Sequence, residues 1–252
     1  MTGRALLFRS SFGEPVMDFS LVFKHYTMIL SGASATLQVT FGALALGLLL
    51  GILAGTCRIS RRLSIRIVAD IYIQVIRGTP MLLQIFFFYL GFPQIYMMIT
   101  GEGITPDPLL TGVIALGINS GAYNAEIIRA GIQSINKGQM EAARSTGLGH
   151  TQSMFYVILP QALKRMIPPL GNELIVLLKD SSLISTIGVA ELMFTAKVLG
   201  ARYYTYVPFL VGAGCIYLIL TFSFSRVFNA LERKLAAGSG ARENACKVLD
   251  LG

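Results

Sequence analysis

The chain has 252 residues, of which 54% are hydrophobic and only 13% charged, with a formal net charge of +8. A soluble domain carries about 25% charged residues, so this chain lacks the polar surface that a soluble enzyme or a disordered protein needs. Its basic balance alone would suit a nucleic-acid binder, but long uncharged apolar runs make a membrane protein the stronger reading, with no nucleic-acid partner.

The N-terminus does not read as a secretory leader, because Arg4 and Arg9 interrupt its short apolar stretch and Glu14 follows. Residues 1–26 are expected to form an external segment. Thr27 to Cys57 carries no charge and predicts a first membrane span near 28–56. Ala43, Gly47, Gly51 and Gly55 recur every four residues on one face of that span. Small residues let helix backbones approach closely in lipid. The stripe is expected to pack inside the bundle, with a seam between two copies as the alternative.

A second span, long or broken, is predicted near 67–97, with Arg77-Gly78-Thr79-Pro80 inside it. Pro80 lacks a backbone donor and disfavours helix at Thr79, and Gly78 loosens the same turn. A third span is predicted at 108–128. The polar stretch from 129 to 165 contains Glu141-Ala142-Ala143-Arg144-Ser145-Thr146-Gly147, then Val157-Ile158-Leu159-Pro160. Gly147 should end a first short helix, and Pro160 should stop a second at about 151–158. The two would form a compact knob outside the bilayer. A fourth span at 167–192 holds Glu173, Lys179, Asp180 and Glu191, and a fifth lies near 206–229. Residues 236–252 read as a polar, mobile tail.

Five spans put the termini on opposite sides. Arg58, Arg61, Arg62 and Arg66 lie in one connection, Arg129, Lys137, Arg144, Lys164 and Arg165 in the next but one, and Arg226, Arg233, Lys234, Arg242 and Lys247 at the C-terminal end. An N-out, C-in topology gathers all of these in the cytoplasm. It leaves outside only Arg4, Arg9, Lys24, Lys197 and Arg202, as the positive-inside rule requires. The expected fold is therefore an all-α integral membrane bundle of five transmembrane helices.

Cys57, Cys215 and Cys246 are far apart, and neither His25 nor His150 has a ligand partner at helical spacing. No metal site or disulfide framework is implied. There is no Ser-x-x-Lys or His-Glu-x-x-His arrangement for a membrane-embedded hydrolase, and no G-x-x-x-x-G-K-[ST] phosphate loop. A self-contained channel or secondary transporter for small polar solutes is the alternative reading. It would usually show a longer chain or an internal repeat.

The order Glu141-Ala142-Ala143, three residues, Gly147, then Leu159-Pro160 resembles the cytoplasmic signature of the permease subunits of bacterial ABC importers. The run from Gln74 through Arg77-Gly78-Thr79-Pro80 to Gln84 and Tyr89 resembles the polar amino acid subfamily. So do Ser120-Gly121-Ala122-Tyr123-Asn124-Ala125-Glu126 with Arg129, and Lys179-Asp180-Ser181-Ser182. The resemblance covers residues 27–235 in collinear order; Val157 stands where the signature often has Ile. It implies a half-transporter that pairs with a second permease chain, identical or related. Two ABC ATPase subunits would dock on the 139–160 knob through Glu141, Ala142, Ala143, Gly147, Leu159 and Pro160. ATP and Mg would then belong to those subunits, with no cofactor in this chain. An extracytoplasmic solute-binding protein would deliver the amino acid.

Ionisable groups inside spans cost about 2.5–3.5 kcal/mol each on insertion scales and mark function. Glu173 and Asp180, seven residues apart, fall on nearly one helical face. Glu173 is expected either to line the substrate path, pairing with a cationic group of a polar, basic amino acid, or to brace the bundle through Arg77 or a helix end. Asp180, Ser181, Ser182, Gly78, Thr79, Tyr123 and Asn124 complete the expected substrate-binding set. Arg77, Pro80, Glu126, Arg129 and Lys179 are read as gating or structural residues.

Overall fold

The computed structural model describes residues 18–60 and 62–249, with side chains described as far as Lys234. Among these residues it is all helix. A short α1 (Ser20–Lys24) leads into α2 (Tyr26–Ile59), then α3 (Leu63–Arg77) and α4 (Met81–Thr100). α5 (Pro108–Gln133), α6 (Lys137–Ser145), α7 (His150–Ile187), α8 (Leu192–Arg202) and α9 (Val207–Leu249) follow. The external segment expected before residue 18 lies outside the described residues. The backbone of α9 stays helical through residues 236–249, into the stretch whose composition marks a tail.

By length and composition, three helices can cross a membrane: Tyr26–Ile59, Met81–Thr100 and the Val207–Lys234 part of α9. A fourth crossing is available if α7 and α8, bent by 48° at their junction, act as one. Two expected spans change accordingly. The stretch 67–97 divides at Gly78–Pro80 into α3 and α4, because Pro80 is extended (ψ 138°) and cannot continue α3. The stretch 167–192 belongs to a longer helix that starts at His150 and ends where Gly188 turns left-handed (φ +88°), so α8 begins a new direction.

Pro160 does not stop a helix. A π turn over Met154–Ile158 immediately precedes it, and α7 runs on through Leu159–Asp180. In regular α geometry the proline ring would clash with the carbonyl four residues back. The wider π turn relieves that clash. Gly147 behaves as expected: with φ +91° it closes α6, its N–H bonded to the Arg144 carbonyl at 3.0 Å.

α5 is the central element, and its principal partner is α2. Its start is defined by the Asp107 side chain, which accepts from the Leu110 N–H at 2.7 Å, and by Pro108 in the first turn. Ala43, Gly47, Gly51 and Gly55 are all buried, and the glycines meet α5. A Cβ at position 47 would lie 2.8 Å from Ser120 Cβ, and one at position 51 would lie 2.5 Å from Asn124 Cβ. The small-residue stripe is thus consumed inside the chain. Against another face of α5, Gly131 admits Met166 of α7. A separate cluster of Ile29, Leu192, Leu199 and Phe209 ties α8 and α9 to α2.

Candidate functional site

The break between α3 and α4 is closed by one side chain. Gln84, 6% exposed, turns its Nε2 back to the carbonyls of Ile76 (2.7 Å) and Thr79 (3.1 Å) and to the Thr79 hydroxyl (2.8 Å). Its Oε1 accepts from Asn119 Nδ2 of α5 at 2.9 Å. Thr79 also donates to the Val75 carbonyl at 2.9 Å. Carbonyls freed at the break are therefore satisfied by protein, as backbone at membrane depth must be unless it meets water in a cavity. Gly78 stands exposed at the corner.

One turn along α5 from Asn119, Tyr123 carries Arg77 over its ring, 5.2 Å from the centroid. Arg77 also lies 3.2 Å from Glu126 Oε1. Arg129 grips the other oxygen of Glu126, its Nε at 2.9 Å. Arg58, at the end of α2, bonds both Glu126 and Asp70 of α3. Glu126 thus joins the ends of α2, α3 and α5. Beside it opens a cavity of about 570 Å³ that also takes in Arg165 of α7.

Ser120 and Asn124 lie on an adjacent face of α5. Both are fully buried, and Asn124 Nδ2 donates to Ser120 Oγ at 3.1 Å, leaving its Oδ1 without a partner. The Ser120 side chain lies beside Glu173, which is 7% exposed on α7. Glu173 is buried and Asp180 half-buried, while their neighbours Asn172 and Lys179 are exposed. Ser181 and Ser182 spend their hydroxyls on the Leu178 and Lys179 carbonyls, both at 2.7 Å. The structure therefore brings expected residues together in two groups: Glu173 with Asn124, joined by the unexpected Ser120, and Thr79, Tyr123, Arg77, Glu126 and Arg129 around the α3–α4 break.

The knob is built as two helices that meet at 146–149. Asn136 caps α6 by accepting from the Gly138 N–H at 2.8 Å, and Gln152 accepts from the Gly149 N–H at 2.9 Å at the start of α7. Glu141 and Ala142 are exposed, whereas Ala143 is buried against the rest of the chain. Leu159 is half-buried and Pro160 exposed. Phe155 and Tyr156 stand 61% and 75% exposed on the π turn, an aromatic pair the sequence reading passed over.

Also missed were Gln84, Asn119, Ser120 and Arg58, whose partners are far away in sequence. Glu191 is a further case. It is fully buried and caps α8, accepting from the N–H groups of Met193 (2.9 Å) and Phe194 (2.7 Å) and from the Tyr217 hydroxyl (2.8 Å). An acidic residue directly before an apolar helical run was the available signal.

Residues 47–237 match the family described as binding-protein-dependent transport system inner membrane component. The arginine transport system permease protein ArtQ of Bacillus subtilis is 40% identical over 219 residues, spanning 87% of this chain and 97% of that protein. The glutamine transport system permease protein GlnP of Escherichia coli K12 is 38% identical over 218 residues, 86% and 97% of the two chains. An amino acid ABC transporter crystallised with histidines superposes with a TM-score of 0.79 at 42% identity, covering 86% of this chain and 98% of its own. The methionine ABC transporter MetNI shares the fold, with a TM-score of 0.69 at 18% identity over 84% and 98%. The chain belongs to the binding-protein-dependent inner membrane permease family and, within it, to the permeases of ABC importers for polar amino acids.

Proposed function

We propose that this permease carries polar, basic amino acids inward along a path that includes Glu173, by alternating access driven from separate ATPase subunits. The supporting observation is Glu173 itself: an ionisable group, 7% exposed, with no ion-pair partner among the described residues. Arg77, the brace considered from the sequence, is engaged by Glu126 instead. A buried carboxylate kept at a cost of about 2.5–3.5 kcal/mol calls for a cationic visitor, and an amino acid always supplies an ammonium. The arginine transport for which the relative ArtQ is named supports a basic substrate.

In this reading α5 and the α7–α8 pair complete five crossings, with the N-terminus outside and the α6–α7 knob in the cytoplasm. Two permease chains pair, and each knob offers Glu141, Ala142 and the Leu159–Pro160 turn to one ATPase subunit. Phe155 and Tyr156 extend that surface. An extracytoplasmic binding protein delivers the amino acid at the opposite end. Two bundle arrangements, biased by the nucleotide state of the ATPases, then expose the path alternately.

The test is uptake of labelled arginine, lysine and glutamine by the complete transporter in vesicles, with its binding protein. Losing a hydrogen bond to a charged group is worth about 1.5–3 kcal/mol. Glu173→Gln should therefore lower arginine uptake by about 10- to 150-fold while the ATPase subunits still co-purify. Unchanged arginine and lysine uptake would remove Glu173 from the path.

A further inference from the structure

The cavity beside Glu126 has a charge balance that transport of a cationic amino acid does not use. Three guanidiniums face it: Arg77 from the end of α3, Arg129 from α5 and Arg165 from α7. Among the described residues its one carboxylate is Glu126, and both oxygens of that group are already occupied. Oε1 is shared by Arg58 and Arg77, and Oε2 is held by Arg129. An ammonium entering here would meet excess positive charge and no free acceptor carboxylate.

The donors are far from used up. A guanidinium has five N–H groups. Arg165 spends one on the Ser134 carbonyl and Arg77 directs one to Glu126, whereas Arg129 gives Nε and Nη2 to Glu126 and Nη1 to Gln133, so the open donors are chiefly those of Arg77 and Arg165. What remains suits an anion with several oxygens, because the arginine fork matches phosphate in a bidentate way. The rest of the lining includes the apolar Ile127, Ala130 and Pro169. At about 570 Å³ the space exceeds what a bare phosphate fills. A lining that mixes arginines with apolar side chains fits a phosphate that is attached to a hydrocarbon.

We propose that this cavity is a binding site for a phosphate-class anion supplied by the headgroup of an anionic phospholipid. The cavity lies at the end of α5 from which the chain enters the α6 knob. Its assignment to the inner leaflet rests on the cytoplasmic orientation of the knob proposed above. Basic pockets between spanning helices on the cytoplasmic side take anionic headgroups by the same chemistry. The bound headgroup would bridge α3, α5 and α7 through their arginines, next to the helix that would meet the ATPase.

The experiment is native mass spectrometry of the complete, delipidated transporter titrated with phosphatidylglycerol or phosphatidylcholine. The wild type should retain phosphatidylglycerol about tenfold better, the yield of one charge-assisted contact. Arg165→Gln should bring the preference close to parity. Arg202→Gln, at the end of α8, should leave it intact. Equal retention of the two lipids by the wild type, or an Arg165→Gln variant as selective as wild type, overturns the proposal. If millimolar inorganic phosphate raises the unfolding temperature as much as phosphatidylglycerol does, with no lipid preference, the anion is a soluble one and the lipid source is overturned. Sidedness is read separately. Ser134→Cys, in a background lacking the native cysteines, should react with an impermeant maleimide only from the cytoplasmic side. Reaction from outside overturns the leaflet and the proposed orientation, while lipid selectivity on its own reports the site.

Discussion

Substituting Gly51 tests whether the seam between α2 and α5 is as close as its glycines imply. Carbon atoms in contact sit about 3.5–4.0 Å apart. A Cβ at position 51 would lie 2.5 Å from Asn124 Cβ and 3.2 Å from the Ala125 nitrogen and the Asn124 carbonyl carbon. Two of these three neighbours are backbone atoms that cannot swing aside, so the helices must separate by about 1 Å. Overpacking of this kind costs about 1–3 kcal/mol. Alanine's higher helix propensity returns about 0.8–1.0 kcal/mol, which would blur a single measurement. Gly214 of α9 supplies the reference, because nothing lies within 4 Å of a Cβ there. Gly214→Ala carries the same propensity gain without the overlap. The two variants should therefore differ by about 1–3 kcal/mol, or about 5- to 150-fold in the unfolding equilibrium. Unfolding of the purified transporter in mixed micelles, followed by circular dichroism as sodium dodecyl sulfate is raised, reads that difference. Coincident transitions for Gly51→Ala and Gly214→Ala would refute the close-packed seam.

Glu191→Ala strands two backbone donors and the Tyr217 hydroxyl inside the protein, each worth about 1–3 kcal/mol, so stability should fall by about 3 kcal/mol or more. Glu191→Gln keeps one acceptor oxygen and should lose markedly less; equal thermal unfolding of wild type and Glu191→Ala would contradict the cap. In the knob, Gly147 at φ +91° makes any side chain strained by about 1–2 kcal/mol. Gly147→Asp and Glu141→Lys should insert normally yet retain less ATPase subunit on co-purification. Full retention with full uptake would show that the knob is not the dock.

The sequence was most informative where local chemistry decides structure. The break at Gly78-Thr79-Pro80, the left-handed stop at Gly147 and the four-residue glycine period each depend on a few adjacent residues, and each appears where its chemistry puts it. Pro160 was misread because the π turn that accommodates it depends on how Met154–Ile158 packs against α5 and α6, which no local rule contains. The helix start at His150 and its end at Gly188 were blurred because hydropathy marks apolar content rather than backbone direction. Burial of Glu173 was anticipated from its cost, but its neighbours Ser120 and Asn124 come from another helix, 53 and 49 positions away by residue number. Gln84 entered the sequence reading only as part of the run that resembles the polar amino acid subfamily. Its role emerges only once α4 folds back beside the carbonyls of α3.

The junction at Glu126 has a lopsided tolerance for damage. One carboxylate there holds Arg58, Arg77 and Arg129, and through Arg58 also Asp70. Removing any one arginine leaves the others attached. Removing the carboxylate leaves three guanidiniums at close quarters with Asp70 as the one remaining counter-charge in the group, so attraction turns to mutual repulsion across three helix ends. Substitutions at this junction should therefore fall into two unequal classes. Changes at the spokes are borne with partial loss, whereas a change at the hub separates α2, α3 and α5 together.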